Sequence, residues 1–142
     1  MTAVMTQKFG AFVLFIAAVS LLFSACAQNP PGPVRSAAVS ASFEANGISS
    51  GSSTMLDVDA TNNGTEIING TFRIQPENDH VSAESRADVF VLHTGESAGQ
   101  KRYNVTGRAQ STNESIQVTV AFVDATTQET LGSTTAFLQV HK

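Results

Sequence analysis

The sequence predicts an all-β fold, a sandwich of about seven antiparallel strands, preceded by an N-terminal apolar segment of the signal or anchor helix type. Three observations predict it. Beyond Ser36, apolar residues recur at every second position in short runs, the period of a half-buried strand, and no 3.6-residue period appears. Clusters of Asn, Asp, Gly, Ser and Thr separate those runs at short intervals. Finally, Cys26 is the single cysteine of 142 residues, so the chain forms no intrachain disulfide and no cysteine-rich zinc site. One domain of roughly 100 residues must then hold together by its core alone.

The chain opens with a short polar stretch, Met1 to Lys8, followed by an almost uninterrupted apolar run, Phe9 to Phe23, and the small residues Ser24 and Ala25. These are the three regions of a secretory signal. The residues "LFSAC", Leu22 to Cys26, resemble the lipobox of bacterial lipoproteins, with Phe23 standing where that pattern prefers leucine. The resemblance implies that residues 1–25 are a signal peptide and that Cys26 becomes lipid-modified and N-terminal. A thiolate can take up a diacylglyceryl group as a thioether, and acyl chains contribute about 0.8 kcal/mol per buried methylene at a bilayer surface. With Ala27 rather than aspartate after the cysteine, the resemblance implies an outer-membrane location facing the periplasm in a Gram-negative cell. Two other readings share the composition: a secretory signal cleaved after Ala25 or Ala27, and an uncleaved span over Phe9 to Ala27. A buried core helix does not fit a run that is apolar all round and followed by Pro30 and Pro31. Residues 26–36, containing "QNPPGPVRS", read as a proline-rich spacer.

The domain is assigned to residues 37–142. In "AAVSASFEA", Val39, Ala41, Phe43 and Ala45 share a face, and in "TMLDVDAT" Leu56, Val58 and Ala60 alternate with Asp57 and Asp59. "IINGTFRI" places Ile68, Phe72 and Ile74 together, with Gly70 as a bulge candidate. "ADVFVLH", Ala87 to His93, is apolar on both faces and predicts a central strand. Tyr103 and Val105 pair in "RYNVTGR"; Ile116, Val118, Val120 and Phe122 alternate in "SIQVTVAFVD"; Ala136, Leu138 and Val140 close the chain. "NNGT", Asn62 to Thr65, predicts a hairpin, because asparagine and glycine accept positive φ cheaply. Seven strands at this spacing point to an immunoglobulin-like or fibronectin-III-like sandwich. The segment "VFVLHTGESAGQKRYNV" also resembles an edge common in bacterial immunoglobulin-like modules, with His93-Thr94 where proline is usual, and this implies fold alone.

Charge narrows the functional classes. Eight Lys and Arg against twelve Asp and Glu give a net charge of -4, which argues against the clustered basic surface of a nucleic-acid binder. Charged residues make up 14%, below the ~25% of an average soluble protein, so solubility rests on Ser, Thr, Asn and Gln. His80, His93 and His141 stand far apart, without metal-ligand spacing, and no G-x-S-x-G elbow surrounds a serine. No catalytic residue and no cofactor are therefore expected. The best metal candidate is "DVDATNNGTE", where Asp57, Asp59, Asn63 and Glu66 offer oxygen ligands and Gly64 a bend. Its twelfth position carries Gly70 instead of a bidentate glutamate, and strand alternation accounts for the same apolar residues. Asn-x-Ser/Thr triplets begin at Asn63, Asn69, Asn104 and Asn113 and arise readily by chance in such a composition.

The resulting expectation is a non-catalytic, lipid-tethered cell-envelope protein. Its partners are a membrane, reached through the lipid, and a protein or surface glycan, with no nucleic acid. Two alternatives stand beside it: a periplasmic chaperone or assembly factor for secreted fibre subunits, acting through a β-edge, and an exported domain that binds calcium or copper.

Overall fold

Alternation builds the strands: wherever apolar and polar residues trade places after Ser36, the backbone is extended and every second side chain is buried. The structure, a computed structural model, describes residues 32–142, and its folded unit runs from Pro33 to Lys142. Residues 1–25, read above as a signal peptide, and Cys26 lie outside the described residues. Nine strands follow in order: β1 (Ala37–Phe43), β2 (Gly47–Ser49), β3 (Ser53–Asn62), β4 (Ile68–Pro76), β5 (Val81–Ala83), β6 (Phe90–Leu92), β7 (Lys101–Gly107), β8 (Glu114–Asp124) and β9 (Thr130–His141). No helix occurs among the described residues.

The strands form two sheets, one ordered β1-β3-β7-β5 and the other β2-β9-β8-β4-β6. The first is the A-B-E-D sheet of an immunoglobulin-like sandwich, and β4, β8 and β9 supply its C, F and G strands. The expected all-β, immunoglobulin-like sandwich is thus the fold. All seven expected strands are present. The two added ones, β2 and β5, are three residues long, too short for a two-residue period to show. Pairing is antiparallel except between β2 and β9, which run parallel with Ile48 opposite Val140.

Three local expectations are corrected. "ADVFVLH" is not central: β6 is the sheet's edge, pairing only with Ile68–Gly70 of β4, and Val89 and Val91 are each 57% exposed. "NNGT" is not a hairpin, because β3 and β4 belong to different sheets and the chain crosses between them there. The hairpin between successive strands of one sheet is β8–β9. Gly70 is not a bulge, since it pairs regularly with Asp124 and Phe90; the register shift lies at Phe122/Val123. Glycine is required at Gly70 because a β-carbon there would collide with the Phe122 ring.

The core lies between the sheets. Leu56, Val58, Tyr103 and Val105 from one face Ile68, Phe72, Ile116, Val118, Val120, Phe122, Leu138 and Val140 from the other. Burying each such side chain contributes about 1.5–3 kcal/mol, which explains how the domain folds without a disulfide. Phe72 is the hub, meeting Phe90, Tyr103 and Phe122 edge-on at centroid distances of 5.6, 6.2 and 5.2 Å.

Candidate functional site

Strand alternation turns Asp57 and Asp59 to the outer face of β3, beside Ser40 and Ser42 of β1 and Gln100. Each then finds its own partner. Arg102 donates through Nε to Asp57 Oδ1 and through Nη2 to Glu44 Oε2, both at 2.9 Å, and these carboxylates hold the guanidinium charged, Asp57 foremost. Asp59 accepts from Ser97 Oγ at 2.8 Å and from the Ala60 amide at 2.7 Å. Asn63 Oδ1 accepts from Ser36 Oγ at 2.8 Å, and the Glu66 carboxylate lies 3.9 Å from Arg35 Nε. Calcium requires six to eight oxygens converging on one point, whereas these four side chains are directed at four different partners. Among the described residues no group of three or more His, Cys, Asp or Glu side chains is arranged to hold a metal.

The histidines are equally separate. His80 Nδ1 lies 2.7 Å from Glu114 Oε2, joining the β4–β5 loop to the start of β8. His93 opens the turn after β6, where the Glu96 amide bonds its carbonyl at 2.9 Å and Gly95 takes φ +79°. That turn is the glycine-glutamate edge read in the sequence. His141 ends β9 against Gly47.

Two structural centres escaped the sequence reading. Asn62, fully buried, donates through Nδ2 to the carbonyls of Glu66 (2.7 Å) and Leu92 (2.9 Å), and its Oδ1 accepts from the Gly64 amide (2.9 Å). It ties the two loops that cross between the sheets. Its signal was its parity: Asn62 falls on the inward face shared by Leu56, Val58 and Ala60. The second centre is Asp124, 3% exposed, which closes the β8–β9 turn. The Thr127 amide, the Arg35 guanidinium and the Thr126 amide all donate to it and hold its carboxyl well below the usual carboxylate range. Arg35 belongs to the stretch read as spacer. Its neighbour Val34 docks as well, its amide donating to Thr65 Oγ1 (2.9 Å) and its carbonyl accepting from the Thr65 amide (2.8 Å).

A groove of about 370 Å³ opens beside β4, lined by Thr71–Ile74, by residues 84–87 with Val89, and by Val123, Ala125 and Gln128. It exists because β6 joins the sheet only at Phe90, opposite Gly70, while β4 continues to Pro76. Antiparallel strands direct alternate residues to alternate neighbours. Asn69 accepts from the Ala125 amide and the Glu77 amide bonds to Gln117, so odd-numbered residues of β4 face β8. Phe72 and Ile74 therefore turn their amides and carbonyls to the groove.

No family model matches the chain, and no curated protein is similar to it in sequence. Among solved structures, the crystal structure of the FixG-related protein from Vibrio parahaemolyticus superposes with a TM-score of 0.51 at 9% identity, covering 77% of this chain and 98% of that one. The likeness is one of fold.

Proposed function

We propose that this chain is a non-catalytic, lipid-tethered protein of the bacterial cell envelope whose immunoglobulin-like domain binds another protein. The observation that carries the binding role is the open sheet edge: backbone groups of β4 face a groove that exposed Val89 helps to line. Such an edge is the ordinary means by which a sheet takes up a partner. The polar clusters that reaction chemistry would need are engaged otherwise, Asp124 and Asn62 in closing turns and Asp57 in an ion pair. The tether rests on "LFSAC", with Cys26 as the acceptor.

The test is the mass of the mature N-terminus from cells that process lipoproteins, together with membrane fractionation. A diacylglyceryl thioether on Cys26 is expected, with the protein retained in membranes, and Cys26→Ser abolishes the modification. An intact Met1, or a mature terminus with bare Cys26, overturns the tether. Turnover of an envelope substrate by the purified chain overturns the non-catalytic role.

A further inference from the structure

The groove beside β4 specifies more than a partner surface. Phe72 and Ile74 each present an amide donor and a carbonyl acceptor to it, spaced by the two-residue repeat of an extended chain, about 6.6 Å. That pattern matches another peptide backbone. Side chains of a strand seated there would alternate between the two faces of the sheet. On the inner side they would meet Phe72 and Ile74, which are apolar; on the outer side they would stand across from Thr71 and Arg73.

Charge selects among extended peptides. Glu84 and Arg86 both line the groove, but Arg86 donates to both Glu84 oxygens at 2.8 and 3.0 Å and neutralises them. Arg73 donates to the neutral Gln128 Oε1 at 2.7 Å and has no carboxylate partner among the described residues. The groove thus carries one uncompensated positive charge on a chain whose net charge is -4. Opposite charges directly across two strands attract and like charges repel. We infer that the open edge of β4 takes up an extended segment of a partner protein as an added strand, apolar on its inner face and acidic opposite Arg73. This rests on the binding role proposed above and names its partner class.

The experiment uses the full chain in detergent micelles, followed by amide exchange and amide NMR shifts. In the free protein the Phe72 and Ile74 amides exchange rapidly while those of Thr71 and Arg73 are protected. An acetylated, amidated hexapeptide of alternating valine and glutamate slows exchange at Phe72 and Ile74 by tenfold or more at millimolar concentration. The valine–lysine counterpart binds at least tenfold more weakly. Arg73→Glu reverses that preference and Arg73→Gln removes it, both at an exposed position that the fold tolerates. Protection of Phe72 and Ile74 in the free protein, no response to either peptide, a response confined to Val89 and Val91, or equal binding of both peptides overturns the inference. Lipid on Cys26 is read independently by mass, so failure here leaves the tether standing.

Discussion

Asn62 and Asp124 show what single polar side chains do when a sandwich closes over them. Asn62 makes three side-chain hydrogen bonds, and Asn62→Leu keeps the shape while stranding the Leu92 and Glu66 carbonyls and the Gly64 amide. Leaving a buried polar group unmet costs about 1–3 kcal/mol, so the variant loses about 3 kcal/mol or more by urea denaturation. Neighbouring Asn63→Ala, at an exposed position, stays within about 0.5 kcal/mol. Asp124 contributes a pH dependence whose sign follows from its bonds. Its carboxyl is held below its ordinary value in the folded chain by the Thr127 amide, Arg35 and the Thr126 amide. The unfolded state therefore takes up the proton first as pH falls. The stability it supplies is complete above the unfolded value of about 3.9 and is lost progressively below it. Urea midpoints measured from pH 7 to pH 2 fall more steeply for the parent than for Asp124→Asn. Equal slopes would show that the carboxylate supplies none of the acid sensitivity.

At the scale of elements, what was legible and what was not divides along physical lines. The long strands β3, β8 and β9 were plain because a buried face imposes a two-residue period over ten or more residues. β2 and β5 offer one inward residue each, Ile48 and Val81, and no period can be read from one. β6 was misplaced at the centre because apolar residues on both faces signal a covered strand, whereas here Val89 and Val91 are left in the open. The groove itself was illegible: it arises from where β6 starts pairing, a tertiary fact. Gly64 and Gly70 were read as a turn former and a bulge, yet neither takes positive φ; each is glycine because something passes too close for a β-carbon, the Val34 carbonyl at one and the Phe122 ring at the other. Gly70→Ala accordingly forces the aromatic hub apart and destabilises the chain by about 1–3 kcal/mol. Pairing it with Phe122→Leu makes the combined loss smaller than the sum of the two single losses, because the new methyl occupies space the ring has left. Additive losses by denaturant titration would count against that contact.

Across the whole molecule the chain changes sheet at nearly every connection: β1 to β2, β2 to β3, β3 to β4, β4 to β5, β5 to β6, β6 to β7 and β7 to β8 each pass from one layer to the other. Only β8 and β9 pair as neighbours in sequence within one sheet. Because completing either sheet draws on connections that run through the other, the two are expected to form together in one cooperative step. Loop-closure entropy must be met before such distant pairings are rewarded, and sandwiches of this kind fold in milliseconds to seconds. The β8–β9 hairpin has the lowest closure cost and supplies most of one wall of the core, which makes it the natural nucleus. Val120 pairs across to Ile74 on one side and Thr134 on the other and is fully buried, so Val120→Ala weakens that nucleus directly. Phe43→Leu touches β1, which reaches its partner β3 only after the chain has crossed to the other sheet at β2. Stopped-flow refolding is expected to give a single phase in the millisecond-to-second range, with Val120→Ala slowing folding and Phe43→Leu chiefly speeding unfolding. The reverse assignment would place the nucleus in the β1–β3 pair, and the hairpin would then be a late element closed onto a sheet already formed.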